Sequence, residues 1–60
     1  MTVRELLRIL KKDGWYEVEQ HGSHIQMKHE TKPNKVTVPC HNGDIKLKTL
    51  NSILRQAELK

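Results

Sequence analysis

The hydrophobic period of this chain changes twice, and those two changes limit its fold more than any other feature. Val3, Leu6, Leu7 and Leu10 recur at i, i+3, i+4 and i+7, the spacing of one helix face. Thr2-Val3-Arg4-Glu5 has the S/T-x-x-E form of a capping box, and Lys11 and Lys12 fall where cations complement the helix dipole. Gly14 supplies a left-handed residue to stop the helix, which sets Trp15 to fold back on Leu10. Past Gly14 the period drops to two. In Tyr16-Glu17-Val18-Glu19-Gln20, Tyr16 and Val18 share one face and Glu17 and Glu19 the other. His21-Gly22-Ser23 reads as a tight turn, and the second strand follows as His24-Ile25-Gln26-Met27-Lys28-His29. Thr31-Lys32-Pro33-Asn34 is turn chemistry again, leading into Lys35-Val36-Thr37-Val38. Connections this short imply an antiparallel meander. After a loop from Pro39 to Asp44, the helical period returns in Leu47, Leu50, Ile53, Leu54 and Ala57.

The fold class is therefore α+β: a single small domain over residues 1–60, in the order α-β-β-β-α, with a three-stranded antiparallel sheet. Both helices are expected on one face of the sheet, burying Tyr16, Val18, Ile25, Met27, Val36 and Val38. With 60 residues and 35% hydrophobic composition, the chain has no material for a second domain or a large enclosed pocket. The single Cys40 excludes an internal disulfide. No run approaches the roughly 18 apolar residues of a membrane span, and Met1 to Glu5 lacks the features of a signal peptide. The expectation is a cytoplasmic protein with no membrane partner.

Charge is distributed unevenly. Residues 1–30 carry five basic and five acidic side chains, whereas residues 31–60 carry six basic against two acidic, which is the whole net charge of +4. A basic half suits a polyanion such as nucleic acid, although small proteins also carry such charge without a polyanionic partner. Lys32, Lys35, Lys46, Lys48 and Arg55 are the candidate phosphate contacts. If Ile25 and Met27 point inward, His24, Gln26 and Lys28 point outward together, joined by Lys35 and Thr37. A one-residue slip would bury this polar set, so the register is strongly specified.

His24 is the residue with the most chemistry. Imidazole accepts and donates protons near neutral pH. Cleaving RNA without a metal requires a base for the ribose 2′-OH, an acid for the departing 5′-oxygen, and a cation such as Lys28 beside the phosphoryl oxygens. Spacing alone favours an ordinary surface histidine over a catalytic one. His24 and His29 match half of a zinc pattern, but positions five apart on a strand face opposite ways, so no metal or other cofactor is expected. Cys40 has no dedicated base and reads as a free thiol, with His41 merely adjacent. The assigned phase leaves no aromatic on the open face, so base stacking is not expected there.

Three segments carry a resemblance over nearly the full length. They are Asp13-Gly14-Trp15, Gly22-Ser23-His24-Ile25-Gln26-Met27, and Val36-Thr37-Val38-Pro39-Cys40-His41 followed by Thr49-Leu50-Asn51-Ser52-Ile53-Leu54-Arg55-Gln56-Ala57. The chain resembles the HicA family, small toxins of type II toxin–antitoxin systems. Lys48 and Glu58 stand where glycines are common in that family. The resemblance implies a double-stranded-RNA-binding-domain-like fold and metal-independent endoribonuclease cleavage of messenger RNA. It implies His24 as the catalytic residue; Ser23, Lys28, Lys35, Lys46 and Lys48 are the candidate phosphate or RNA contacts read from the residues themselves. It also implies a HicB-like antitoxin partner. The competing expectation is a non-catalytic double-stranded-RNA-binding module, supported by the same element order and the same basic half.

Overall fold

The computed structural model describes residues 1–40 and 42–60. Helix α1 (Val3–Lys12) is followed by strands β1 (Tyr16–His21), β2 (His24–Lys28) and β3 (Val36–Pro39), and helix α2 (Leu47–Gln56) closes the order. The strands form one antiparallel sheet in the order β1-β2-β3. Both helices lie over β3, and the shortest Cα extent of the molecule is 16 Å, room for one helical layer on one sheet. The other sheet face is open.

Each end of α1 is closed by its own sequence. The Glu5 amide donates to Thr2 Oγ1 and the Thr2 amide donates to Glu5 Oε1, both at 3.2 Å. At the far end Gly14 has φ +103°, the Trp15 amide donates to the Leu10 carbonyl, and the Gly14 amide donates to that of Lys11. This is a Schellman closure, and it carries Trp15 into the interior at 2% exposure. α2 ends in the same pair of bonds, from Leu59 to Leu54 and from Glu58 to Arg55. There the left-handed residue is Glu58, at φ +58°.

The core joins Val3, Leu6 and Leu10 of α1 to Trp15, and Ile25, Met27, Val36 and Val38 of the sheet to Ile53 and Ala57. Ile45 belongs to it as well, held by a backbone bond from its amide to the Met1 carbonyl and by the adjacent Thr2–Asp44 bridge. Nothing in the periodicity singled Ile45 out, because it sits alone between two polar segments.

Three expectations are corrected. Tyr16 and Val18 are not buried; each is 45% exposed. The cause is a β-bulge: Glu17 pairs with Met27 but Glu19 pairs with Gln26, so Val18 is an extra residue. Directly opposed residues share a face, so the bulge inverts the phase before it. Tyr16, opposite Lys28, lies on the open face, and Glu17 turns to the helix side, where Lys11 Nζ is 3.0 Å from its carboxylate. The open face therefore does carry an aromatic. Leu47, assigned to the apolar stripe of the second helix, is 72% exposed as the first residue of α2, and the buried contact of that helix is made further along, at Ile53.

Candidate active site

The open face is organised by the turn between β1 and β2. Gly22 has φ +57° and Ser23 does not take positive φ, the pattern of a type II′ hairpin with Gly in its first central position. A Cβ on Gly22 would meet nothing within 4 Å, so glycine is required there by backbone conformation alone. Gln20 Nε2 donates to the Gly22 carbonyl at 3.1 Å, and the Cys40 amide donates to the Ser23 carbonyl at 2.5 Å. The turn is thus tied to its own strand and to the end of β3.

His24 follows this turn as the first residue of β2, exposed, with Pro39 opposite it on β3 and His21 opposite it on β1. The pairing of two histidines was not anticipated. It was legible, because a two-residue loop makes its flanking residues cross-strand partners, and here both are histidine. His21 Nε2 lies 3.1 Å from Glu19 Oε1. Further along the face, Thr37 Oγ1 donates to Gln26 Oε1 at 3.1 Å. His24 and Lys28 do share a face, but four residues of strand separate them by about 13 Å.

The remaining candidates fall into two groups. Lys28 and Lys35 line one cleft at the far end of the sheet, about 460 Å³ in volume. Lys48 borders a shallower cleft of about 350 Å³ with Thr37 and Pro39, on the His24 side. Ser23 is exposed in the turn, and Lys46 is exposed at the start of α2, where its side chain makes no capping bond. His41 lies outside the described residues.

Lys32 is committed elsewhere. Its ammonium donates to Asp13 Oδ2 at 2.6 Å and to the Ala57 carbonyl at 2.9 Å, tying the end of α1 to the end of α2. Trp15 Nε1 donates to the same Asp13 oxygen at 3.2 Å. His29 completes this knot. Its Nε2–H donates to the Asp13 carbonyl at 2.6 Å, and its Nδ1 accepts from the amides of Thr31 and Lys32. Both ring nitrogens are used, and the ring stands edge-on to Trp15 with centroids 5.2 Å apart. His29 is a structural histidine. The Lys32 hydrogen bond, chiefly, holds the Asp13 carboxyl below its usual range. Among the described residues no three His, Cys, Asp or Glu side chains gather as a metal site would require.

Residues 3–59 match the family described as the HicA toxin of bacterial toxin–antitoxin systems. The chain belongs to the HicA toxin family. No individually curated protein matches it. As a HicA toxin it has an antitoxin for a partner, and among the described residues no helix is long and apolar enough to cross a membrane. In this HicA chain the Gly22-Ser23-His24 step is the hairpin turn itself and the first residue of the strand it feeds.

Proposed function

We propose that this HicA toxin is a metal-independent endoribonuclease that cleaves messenger RNA, with His24 as its general acid/base residue. The observation that carries the reading is the placement of His24: exposed, at the lip of a hairpin turn, on a sheet face that no element among the described residues covers. A phosphodiester backbone can approach it without any rearrangement of the fold. The 2′-oxygen of the ribose attacks the adjacent phosphorus as an imidazole removes its proton, and the 5′-oxygen leaves with a proton.

The surrounding residues divide the work of holding the strand. Ser23 precedes His24 in the turn, and Lys48 lines a cleft with Pro39, the cross-strand partner of His24; both suit the phosphate being cut, while Lys28 and Lys35 share a separate cleft and suit a neighbouring one. Tyr16 stands beside Lys28 and offers a ring on which a base can stack. Lys46 lies at the margin, as a weaker electrostatic contact.

Purified wild-type protein incubated with a messenger RNA tests the reading. It should leave 2′,3′-cyclic phosphate and 5′-hydroxyl ends, and the reaction should survive a chelator. His24→Ala should remain folded and lose cleavage. RNA left intact by the wild type, together with salt-sensitive binding to duplex RNA, would instead mark a binding module.

A further inference from the structure

Transesterification of RNA moves two protons at once, off the 2′-oxygen and onto the 5′-oxygen, on opposite sides of the phosphorus. A single imidazole is either a base or an acid at a given instant. We infer that His21 is the second proton-transfer group of this site, acting as the acid while His24 acts as the base. The inference rests on the ribonuclease reading given above and goes beyond it in assigning a residue to the leaving group.

The hairpin fixes the pair. His21 and His24 are cross-strand partners on either side of Gly22 and Ser23, so their Cβ atoms are about 5 Å apart and their rings share the open face. A phosphate seated between them has one ring on each flank. Glu19 Oε1 lies 3.1 Å from His21 Nε2, placed to pair with a protonated ring, while among the described residues no carboxylate forms an ion pair with His24. That difference assigns the roles. The alternatives near His24 serve less well. Ser23 carries an alcohol, a poor proton donor at neutral pH, Lys28 is about 13 Å along the strand, and Cys40 lies beyond Pro39 with its amide tied to the turn.

The step balances as follows. The 2′-hydroxyl proton passes to a ring nitrogen of His24 as the O2′–P bond forms. The P–O5′ bond breaks, and the 5′-oxygen takes a proton from a ring nitrogen of His21. A 2′,3′-cyclic phosphate and a 5′-hydroxyl leave, and the two rings exchange protons with water to return to their starting forms.

The test uses an oligoribonucleotide containing one mapped cleavage site, made with an ordinary 5′-oxygen or with bridging sulfur at that position. A thiolate leaves without protonation, so the sulfur substrate does not need the acid. On the oxygen substrate, His21→Ala and His21→Gln should each lower kcat by about 10²- to 10⁴-fold, the usual range for a positioned acid, with little change in KM. On the sulfur substrate both variants should return to within a few-fold of wild type, and His24→Ala should not. Equal losses on the two substrates, or no loss on either, would overturn the assignment of His21 while leaving the ribonuclease reading standing. If the wild type cuts neither substrate, that reading itself falls.

Discussion

Asp13 shows how much one side chain holds in a domain this small. It receives Trp15, Lys32 and, through its carbonyl, His29, and so joins both helix ends to the loop after β2. Its carboxyl is depressed in the folded state, above all by the Lys32 hydrogen bond. A depressed acid stabilises the fold above its unfolded pKa, and that contribution is lost as the pH falls through the folded value. Urea midpoints taken from neutral pH down to roughly pH 2 should therefore drop more steeply for the wild type than for Asp13→Asn. Parallel curves would refute this. Gly14 belongs to the same knot: a Cβ there would come 2.7 Å from His29 Nε2, at φ +103°. Gly14→Ala should cost on the order of 2 kcal/mol, read as a lower urea midpoint with unchanged slope. The helix stop at Gly14 was legible in the chain, but the side-chain knot around Asp13 was not. Lys32 read as a phosphate contact because its partners Asp13 and Ala57 are 19 and 25 residues away, and periodicity reports only neighbours. His24 was legible because its exposure follows from the phase of its own strand.

At the level of elements, the sequence was informative where a rule is local. The capping box, the stop at Gly14 and the phase of β2 and β3 all appear as read, with Ile25, Met27, Val36 and Val38 at 4% exposure or less. The bulge in β1 was not visible, because it depends on how β1 pairs with β2 and leaves no fixed residue signature. Tyr16 moves from the expected core to the open face, where Tyr16→Ala should weaken binding of single-stranded RNA and Tyr16→Phe should not. The expected loss is about 1–3 kcal/mol, the usual worth of stacking one base, measured in the His24→Ala background so that the RNA stays whole. Equal affinities for the Ala and Phe variants would rule stacking out. The second helix carries a different mark. Glu58 occupies the left-handed position that glycine normally fills, at φ +58°. Relieving that conformation offsets the greater flexibility glycine brings to the unfolded chain, so Glu58→Gly should stabilise by about 1 kcal/mol. In a domain of this size that raises Tm by roughly 4–8 °C. A fall in Tm would show that the Glu58 side chain contributes more than its backbone costs.

For the whole molecule, if RNA is cut at His24 as proposed, the open face is the surface a silencing partner must deal with. The fold presents His24, His21, Lys28 and Tyr16 on one side of a sheet whose other side is already filled by helices. An antitoxin that lies over this face excludes RNA by occupation, with no need to refold the toxin. Acidic groups on such a partner would complement the cationic ends of the sheet, so association should slow as salt screens those charges. Binding only the folded toxin, it should also raise the melting temperature, by about 4 kcal/mol of added stability at a thousandfold excess over Kd. Residue-resolved labelling with a histidine-specific reagent tests where it sits. His24 and His21 are exposed and should react in the free toxin, then become protected together in the complex. His29, with both ring nitrogens hydrogen-bonded, should react slowly in either state and serves as the internal standard. Unchanged labelling of His24 under saturating antitoxin would place the partner on another surface. A cleft of about 520 Å³ along α1 is then the next candidate, lined by Val3, Arg4, Leu7, Arg8, Lys11 and Cys40, the last of which is joined to the His24 turn by its amide's bond to Ser23.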